Sequence, residues 1–154
     1  MTSREPARSR SQRKQDVLDR LDRLDRDEDA WIATASPSGE PCLVPLSFVW
    51  ERGTLLVSTR RANPTAINVS RQGRAVVALG QTRDVVHIDA DAELVEGRDL
   101  AKESADAFAA KLSWDPRERT PWVYIRFAPV VLKAWREVNE QPDRVLMREG
   151  QWLD

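Results

Sequence analysis

The sequence predicts a small antiparallel β-barrel with helices outside it, and three observations support this prediction. Apolar segments over residues 31–59 are joined by short turns, which is the pattern of an antiparallel meander. Residues 84–95 alternate between apolar and polar side chains, which indicates a strand with one buried face and one wet face. Helical spacing of apolar residues is confined to separate, short segments. Closure into a barrel is expected because it removes exposed strand edges.

Length and composition predict one globular domain, because 154 residues normally form a single core. The 24 basic and 25 acidic residues nearly cancel, which argues against a dedicated nucleic-acid binder. No apolar run approaches the roughly 20 residues that cross a bilayer, and the basic N-terminus lacks the apolar region of a secretory signal. A single cysteine, Cys42, allows no internal disulfide. We therefore expect a cytoplasmic protein without membrane or nucleic-acid partners.

The N-terminal elements follow in order. Residues 1–14 are rich in Ser, Arg and Lys, and they predict a disordered tail before a single domain over 15–154. Apolar residues at helical spacing predict an amphipathic helix over 15–27. Pro45, inside the second strand, requires a sheet edge, a bulge or a place where a ligand replaces the hydrogen bonds of the ladder. The three strands of the meander are predicted over 31–36, 42–51 and 54–59.

The rest of the chain continues the barrel. Asn63-Pro64 at its start and Gly73 after its end predict a short helix over 63–72. The later segments predict strands over 75–80 and 84–95, a helix over 99–112, a loop over 114–121, a β segment over 122–136 bent at Pro129, a loop over 137–143 and a terminal hairpin over 144–154.

The turn before the short helix has the chemistry of a phosphate site. The hydroxyls of Ser58 and Thr59, the guanidiniums of Arg60 and Arg61 and the free amides of a helix start fall within a few residues. Such groups bind phosphate through charge-assisted hydrogen bonds. The same residues also fit a solvated basic turn beside a capped helix.

No metal site and no catalytic residue are predicted. His87, the single histidine, shares the wet face of its strand with Asp89 and Asp91, but neighbours on one strand rarely converge on one ion. Cys42 has no recognisable base or cationic field to activate its thiol. The residues alone therefore leave the catalytic group unassigned.

The segment LVPLSFVWERGTLLVSTRRANPTAINVSRQGRAVVALG resembles the pyridoxamine 5′-phosphate oxidase-like superfamily, the FMN-binding split barrels. In that family a proline-containing strand precedes a strand that ends in a Thr-Asn or Ser-Thr step, and a Ser-x-Lys segment then opens a short helix. Aligned without gaps, Thr59 and Arg60 fall at the Thr-Asn step, Asn63 at the serine and Thr65 at the lysine. The resemblance implies that Arg60 or Arg61 supplies the missing lysine charge.

The C-terminal segment resembles the same family. Trp135 fits the tryptophan strand of the oxidases, and Arg144 fits the arginine of an Arg-Leu-His step that binds the substrate phosphate. Leu146 stands at the histidine position. We therefore do not expect true pyridoxamine 5′-phosphate oxidase activity.

The resemblance implies a mainly β, dimeric split barrel with peripheral helices, acting as a flavin- or deazaflavin-dependent oxidoreductase. FMN or coenzyme F420, which share a tricyclic ring, a ribityl chain and a phosphate, would bind at the homodimer interface and exchange a hydride with an unidentified small molecule. The ring would lie along Val44–Phe48, and Trp135 and Arg144 would come from the second copy. The implied cofactor-binding residues are Val44, Pro45, Leu46, Ser47, Phe48, Ser58, Thr59, Arg60, Arg61, Asn63, Thr65, Trp135 and Arg144. The alternative is a non-catalytic flavin- or haem-binding carrier or sensor of the same fold.

Overall fold

The computed structural model describes residues 5–23 and 28–154, which form one antiparallel sheet of nine strands with three α-helices against it. The helices are α1 (Arg10–Leu21), α2 (Pro64–Gln72) and α3 (Lys102–Leu112). The strands are β1 (Ala30–Ala35), β2 (Pro41–Leu46), β3 (Val49–Glu51), β4 (Thr54–Arg60), β5 (Arg74–Gln81), β6 (Asp84–Val95), β7 (Trp122–Trp135), β8 (Val145–Arg148) and β9 (Gln151–Trp152). None of the described helices has both the length and the apolar composition that a membrane span requires.

The strand order makes this sheet a barrel with one open seam. The hydrogen-bonded path runs β2-β1-β5-β6-β7-β4-β3, while β8 pairs with β7 and β9 pairs with β8. Although β2 and β3 follow each other in sequence, they stand at the two ends of this path. The predicted antiparallel barrel is therefore confirmed, and it is split between β2 and β3.

The main core comes from the alternation that the sequence shows most clearly, along β6. Val86, Ile88 and Ala90 are buried there. Ile88 lies opposite Val77 of β5 on one side and Leu132 of β7 on the other, and both partners are buried as well. Because successive side chains of a strand point to opposite faces, the polar residues between them lie on the outside of the barrel.

A second, smaller apolar cluster lies where α3 packs on the outside of β3, β4 and β7. The ring of Phe108 meets those of Tyr124 and Trp114 edge-on, with centroid distances of 5.4 and 5.8 Å. Burial and the nearby charge of Asp115 raise the pKa of Tyr124 to about 12. The buried members of the cluster are Val49, Leu56, Phe108, Leu112 and Tyr124.

The first helix differs from its predicted bounds. It begins at Arg10 rather than residue 15, and Ser9 and Gln12 form a capping box at its start. The predicted disordered tail is therefore wrong for residues 10–14, which form the first turns of α1. The last four residues of the predicted helix, 24–27, lie outside the described residues.

Two arginines before and within α1 attach the N-terminal segment to the loop after β7. Arg13 is fully buried, and its Nη2 lies 2.7 Å from Oδ1 of Asp143. Arg8 Nη2 donates to Oε1 of buried Glu140 at 2.8 Å. Burial alone would raise the pKa of Glu140, but hydrogen bonds from Arg8 and from the amide of Arg136 outweigh it and lower that pKa to about 2. These ion pairs order the Ser- and Arg-rich segment, and their carboxylate partners lie far away in sequence.

Three further boundaries also differ. The predicted strand over 42–51 is two strands, because the chain crosses the open seam at Ser47 and Phe48. The predicted division into two strands at Pro129 is wrong, since β7 runs as one strand past it, but the strand has a β-bulge at this point. Beside the proline, β7 contains one extra residue, Val130, because Asp89 of β6 lies opposite Val131 and the next residue, Ala90, lies opposite Pro129. Finally, α3 begins at Lys102 and not at residue 99.

Candidate functional site

The turn between β4 and α2, residues 61–63, has an open helix start. Asn63 occupies the N-cap position, but its Nδ2 donates to Thr59 Oγ1 at 2.9 Å and its side chain does not cap the helix. The amides of Thr65 and Ala66 consequently have no hydrogen-bond partner within residues 5–23 and 28–154. Uncapped amides at the positive end of a helix dipole favour an anion.

The two arginines at this turn differ in their partners. Arg61 Nη2 donates to Glu96 Oε2 at 2.9 Å and to the carbonyl of Thr120 at 3.1 Å. The hydrogen bonds between Arg61 and Glu96 raise the pKa of Arg61 and lower the pKa of the Glu96 carboxyl. Arg60 instead lies over the ring of Trp122, 5.2 Å from its centroid, and no described carboxylate lies within ion-pair distance of it. Arg60 is therefore the guanidinium that remains available to an anion.

Two of the predicted hydroxyls are engaged within the protein. Ser58 is buried, and its Oγ donates to the carbonyl of Val123 at 2.9 Å. Thr65 is 2% exposed, and its Oγ1 lies 3.8 Å from Cys42 Sγ in β2. Neither hydroxyl is therefore free to contact a ligand at this turn.

The predicted ring-binding strand, β2, is an edge strand. Pro45 lies opposite Trp31 of β1, and because proline has no N–H this pair cannot exchange two ladder hydrogen bonds. Alternation then turns the carbonyl of Pro45 and both backbone groups of Leu43 toward the free edge. Of the three alternatives predicted for Pro45, the structure shows the sheet edge, and this edge offers backbone donors and acceptors beside α2.

The neighbouring predicted residues present little side chain to a ligand. Val44 and Leu46 are half-buried and pack on the main core. Ser47 Oγ donates to Asp29 at 2.8 Å, while Phe48 is buried in the core under the ammonium of Lys111, 4.2 Å from the ring centroid. From Val44 to Phe48, the groups open to a ligand are thus mostly backbone.

Trp135 and Arg144 lie beside each other and far from this edge. The carbonyl of Arg144 accepts from the amide of Ala134 at 3.0 Å, and its Nη1 donates to the carbonyl of Gln141 at 2.8 Å. Three strands separate β7, which ends at Trp135, from β2. At about 4.8 Å per strand spacing, Trp135 and Pro45 of one copy are about 19 Å apart along the curved sheet. One copy therefore does not bring the two predicted halves of the site together.

The outer face of the sheet between these halves carries two exposed apolar side chains. Leu43 is 61% exposed and Trp31 is 49% exposed. Register places Trp31 opposite Ala78 and Ala78 opposite His87, so these side chains share that face. His87 is half-buried there, and its Nδ1 has no hydrogen-bond partner in the described part of the chain. Exposed apolar area of this kind is typical of an interaction surface.

A buried polar pair, which was not predicted, holds α2 against the barrel. Asn68 Nδ2 donates to Thr34 Oγ1 of β1 at 3.1 Å, and both side chains are buried. Thr34 lies opposite Cys42, which contacts Thr65. A signal was present, because residues 65 and 68 lie on one face of a helix at i,i+3 spacing. Glu96 and Trp122, which decide the roles of the two arginines, had no local signal.

Comparisons with known proteins agree with this architecture. A Listeria innocua protein provisionally named pyridoxamine 5′-phosphate oxidase superposes with a TM-score of 0.62 at 15% identity, over 82% of this chain and 98% of its own. An F420 reductase gives a TM-score of 0.54 at 16% identity, over 71% and 91%. HutZ, the haem storage protein of Vibrio cholerae, gives 0.58 at 16% identity, over 74% and 88%. These identities are low, so the superpositions bear on the fold alone.

The sequence itself carries the family signal. A search of curated proteins finds no match to this chain. The family model for pyridoxamine 5′-phosphate oxidase matches residues 21–136, which is more than half of the chain and includes every strand from β1 to β7. The chain therefore belongs to the pyridoxamine 5′-phosphate oxidase family and has its antiparallel split-barrel fold.

Proposed function

We propose that this protein is a homodimeric oxidoreductase that binds a flavin-type cofactor, FMN or F420, where two copies meet. The observation that carries the proposal is the turn between β4 and α2. Arg60 there is exposed and has no carboxylate partner among the described residues, and beside it the buried amides of Thr65 and Ala66 at the helix start have no hydrogen-bond partner in that part of the chain. These groups fit a phosphate, which accepts several hydrogen bonds at once and is attracted by the helix dipole.

The free edge of β2 would hold the ring of the cofactor. The contact between Cys42 and Thr65 places this strand beside the start of α2, so the ring and the phosphate would lie at the two ends of one groove. The backbone of Leu43 and the carbonyl of Pro45 would bond the polar edge of the ring. When bound, the ring would supply the hydride chemistry, while the chain provides position and excludes water.

A second copy would complete the site. Trp135 and Arg144 of one chain lie far from its own β2 edge, but across a twofold axis they could meet the edge of the other. The exposed side chains of Trp31 and Leu43 provide apolar area for that contact. The small-molecule substrate would then lie between the ring and the partner's Trp135.

The proposal does not extend to pyridoxamine 5′-phosphate oxidation. Leu146, at the position of the family histidine, is 1% exposed and belongs to the main core. A buried apolar side chain cannot bond a substrate phosphate. Residues of β8 would therefore support the fold, and a different small molecule would be the substrate.

A haem-binding carrier or sensor is the second candidate. HutZ shares the fold, and His87 has a half-buried ring whose Nδ1 is without a partner in the described residues. Imidazole nitrogen is a usual axial ligand of haem iron, and the chain has one histidine. If this candidate is correct, His87→Ala should remove the haem Soret shift while the melting temperature of the protein stays unchanged.

A titration of the purified full chain distinguishes these functions. FMN, F420 or haem at a hundredfold excess over its dissociation constant should stabilise the fold by about 2.7 kcal/mol, which a thermal melt detects. Oxidation of the reduced FMN or F420 by an added acceptor separates an enzyme from a carrier. No stabilisation by FMN or F420 would refute the proposed function, and stabilisation by haem alone would establish the second candidate.

A further inference from the structure

A small cavity of about 170 Å³ lies beside the proposed phosphate turn, between the loop after β6 and the loop before β7. It is lined mainly by four arginines, and the ring of Trp122 forms part of its wall. We call it the arginine cavity and define it by Arg61, Arg98, Arg117, Arg119 and Trp122. Its cationic lining contrasts with a chain whose net charge is −1.

Two of the arginines are held by carboxylates and form fixed walls. Arg61 pairs with Glu96, and Arg117 Nη2 and Nε lie 2.8 Å from carboxylate oxygens of Asp106 and Asp115. Hydrogen bonding to these two aspartates raises the pKa of Arg117. The positive charges of both arginines are therefore largely neutralised, and what they contribute is shape.

The other two arginines retain their charge for a ligand. Arg98 and Arg119 are exposed, and no described carboxylate lies within ion-pair distance of either. Glu118 on the rim offsets one charge, but Arg60, stacked on Trp122, adds another. Like charges gathered around a concavity raise the local concentration of anions.

The backbone around the cavity is closely packed. A side chain at Gly97 would place its Cβ 2.1 Å from the carbonyl oxygen of Arg117, so only glycine lets the two loops meet. The amide of Arg61 also donates to the carbonyl of Pro121 at 2.8 Å. This packing and the ion pairs preorganise the cavity, so that few groups need to be ordered when a ligand binds.

We propose that the arginine cavity is a second anion site, which binds a carboxylate-bearing group through Arg98 and Arg119. Guanidinium forks match carboxylates in geometry and charge. The group could come from two sources. F420 carries a chain of glutamate carboxylates beyond its phosphate, whereas FMN ends at its phosphate. A free polycarboxylate offers the same chemistry without any cofactor.

The test is calorimetric titration of the full chain with tri-γ-glutamate and with citrate, in the absence of cofactor. The double variant Arg98→Gln/Arg119→Gln should weaken binding at least about tenfold, because each charge-assisted hydrogen bond contributes on the order of one factor of ten. Arg148→Gln is the matched control, since Arg148 is exposed on β8 and lines neither site. Melting temperatures of all variants should agree, because both substituted side chains are exposed and unpaired within the described chain.

A parallel titration with FMN and F420 identifies the source. If the double variant loses affinity for F420 and not for FMN, the cavity binds the cofactor's own chain. If the double variant keeps its affinity for both cofactors but no longer binds citrate, the cavity binds a free carboxylate. Failure of both probes to bind, or equal binding by the double variant and the unmodified protein, overturns the proposal. Failure of FMN and F420 to bind would refute the proposed function and leave the probe titration valid.

Discussion

Arg60→Gln tests the phosphate site most directly. The substitution removes the guanidinium that has no carboxylate partner among the described residues and leaves the Arg61–Glu96 pair intact. A hydrogen bond to a charged group contributes about 1.5–3 kcal/mol, and each 1.4 kcal/mol is a factor of ten. We therefore expect the dissociation constant for FMN to rise about 10- to 100-fold. The loss of the contact with Trp122 should change stability little, since Arg60 is exposed.

Fluorescence titrations with FMN and riboflavin provide the assay, because riboflavin has the same ring and lacks the phosphate. At fixed ionic strength, Arg60→Gln should lower the affinity for FMN and leave the affinity for riboflavin unchanged. The control is Arg61→Gln combined with Glu96→Gln, which removes a paired cation and anion together and should leave FMN affinity within about threefold. An equal loss for both ligands in Arg60→Gln, or a larger loss in the control, would refute the assignment of Arg60.

Three further predictions concern stability and assembly. Glu140→Gln should destabilise the fold by about 3 kcal/mol at pH 7 in urea unfolding, because Arg8 loses a buried charged partner. Since the pKa of Glu140 is lowered to about 2, this stabilisation is complete above its ordinary value of 4.5 and is lost as the pH falls toward 2, so the deficit should shrink at pH 3; a constant deficit would contradict it. Leu43→Glu should convert the proposed dimer to a monomer in light scattering without lowering the monomer's stability, because the side chain is 61% exposed; an unchanged mass would place the interface elsewhere. Phe108→Ala should cost about 3–5 kcal/mol, measured by urea unfolding, since its buried ring joins α3 to Tyr124 and Trp114; a cost below about 1 kcal/mol would mean that α3 packs by other contacts.

The elements with strong local patterns were predicted well. The alternation over 84–95 gives β6 with the bounds that the structure has, Asp84–Val95. Asn63-Pro64 and Gly73 bracket α2, and Gly73 adopts the left-handed conformation that ends it. In both cases the pattern that predicts the element lies within the element, so neighbouring residues suffice to specify it.

Elements that depend on partners distant in sequence were not predicted well. Residues 10–14 have a composition typical of a disordered tail, yet Arg13 is fully buried because Asp143 lies across from it. The strand predicted over 42–51 is divided because its two parts pair with different neighbours, β1 and β4. A composition rule cannot register either fact, since both depend on chain that is distant in sequence.

The sequence by itself determined the fold class, the positions of most strands along the chain and the presence of a basic turn before a short helix, whereas the order of the strands in the sheet came from the tertiary structure. Periodicity and capping are encoded locally, and they are enough for these features. Tertiary structure decided which arginine remains available, because Glu96 and Trp122 reach the turn only after β6 and β7 have paired. It also separated Trp135 from Pro45, which makes a second copy necessary to complete the proposed site. The ion-pair partner of an arginine and the distance between two residues are properties of the folded chain, and no single stretch of sequence specifies them.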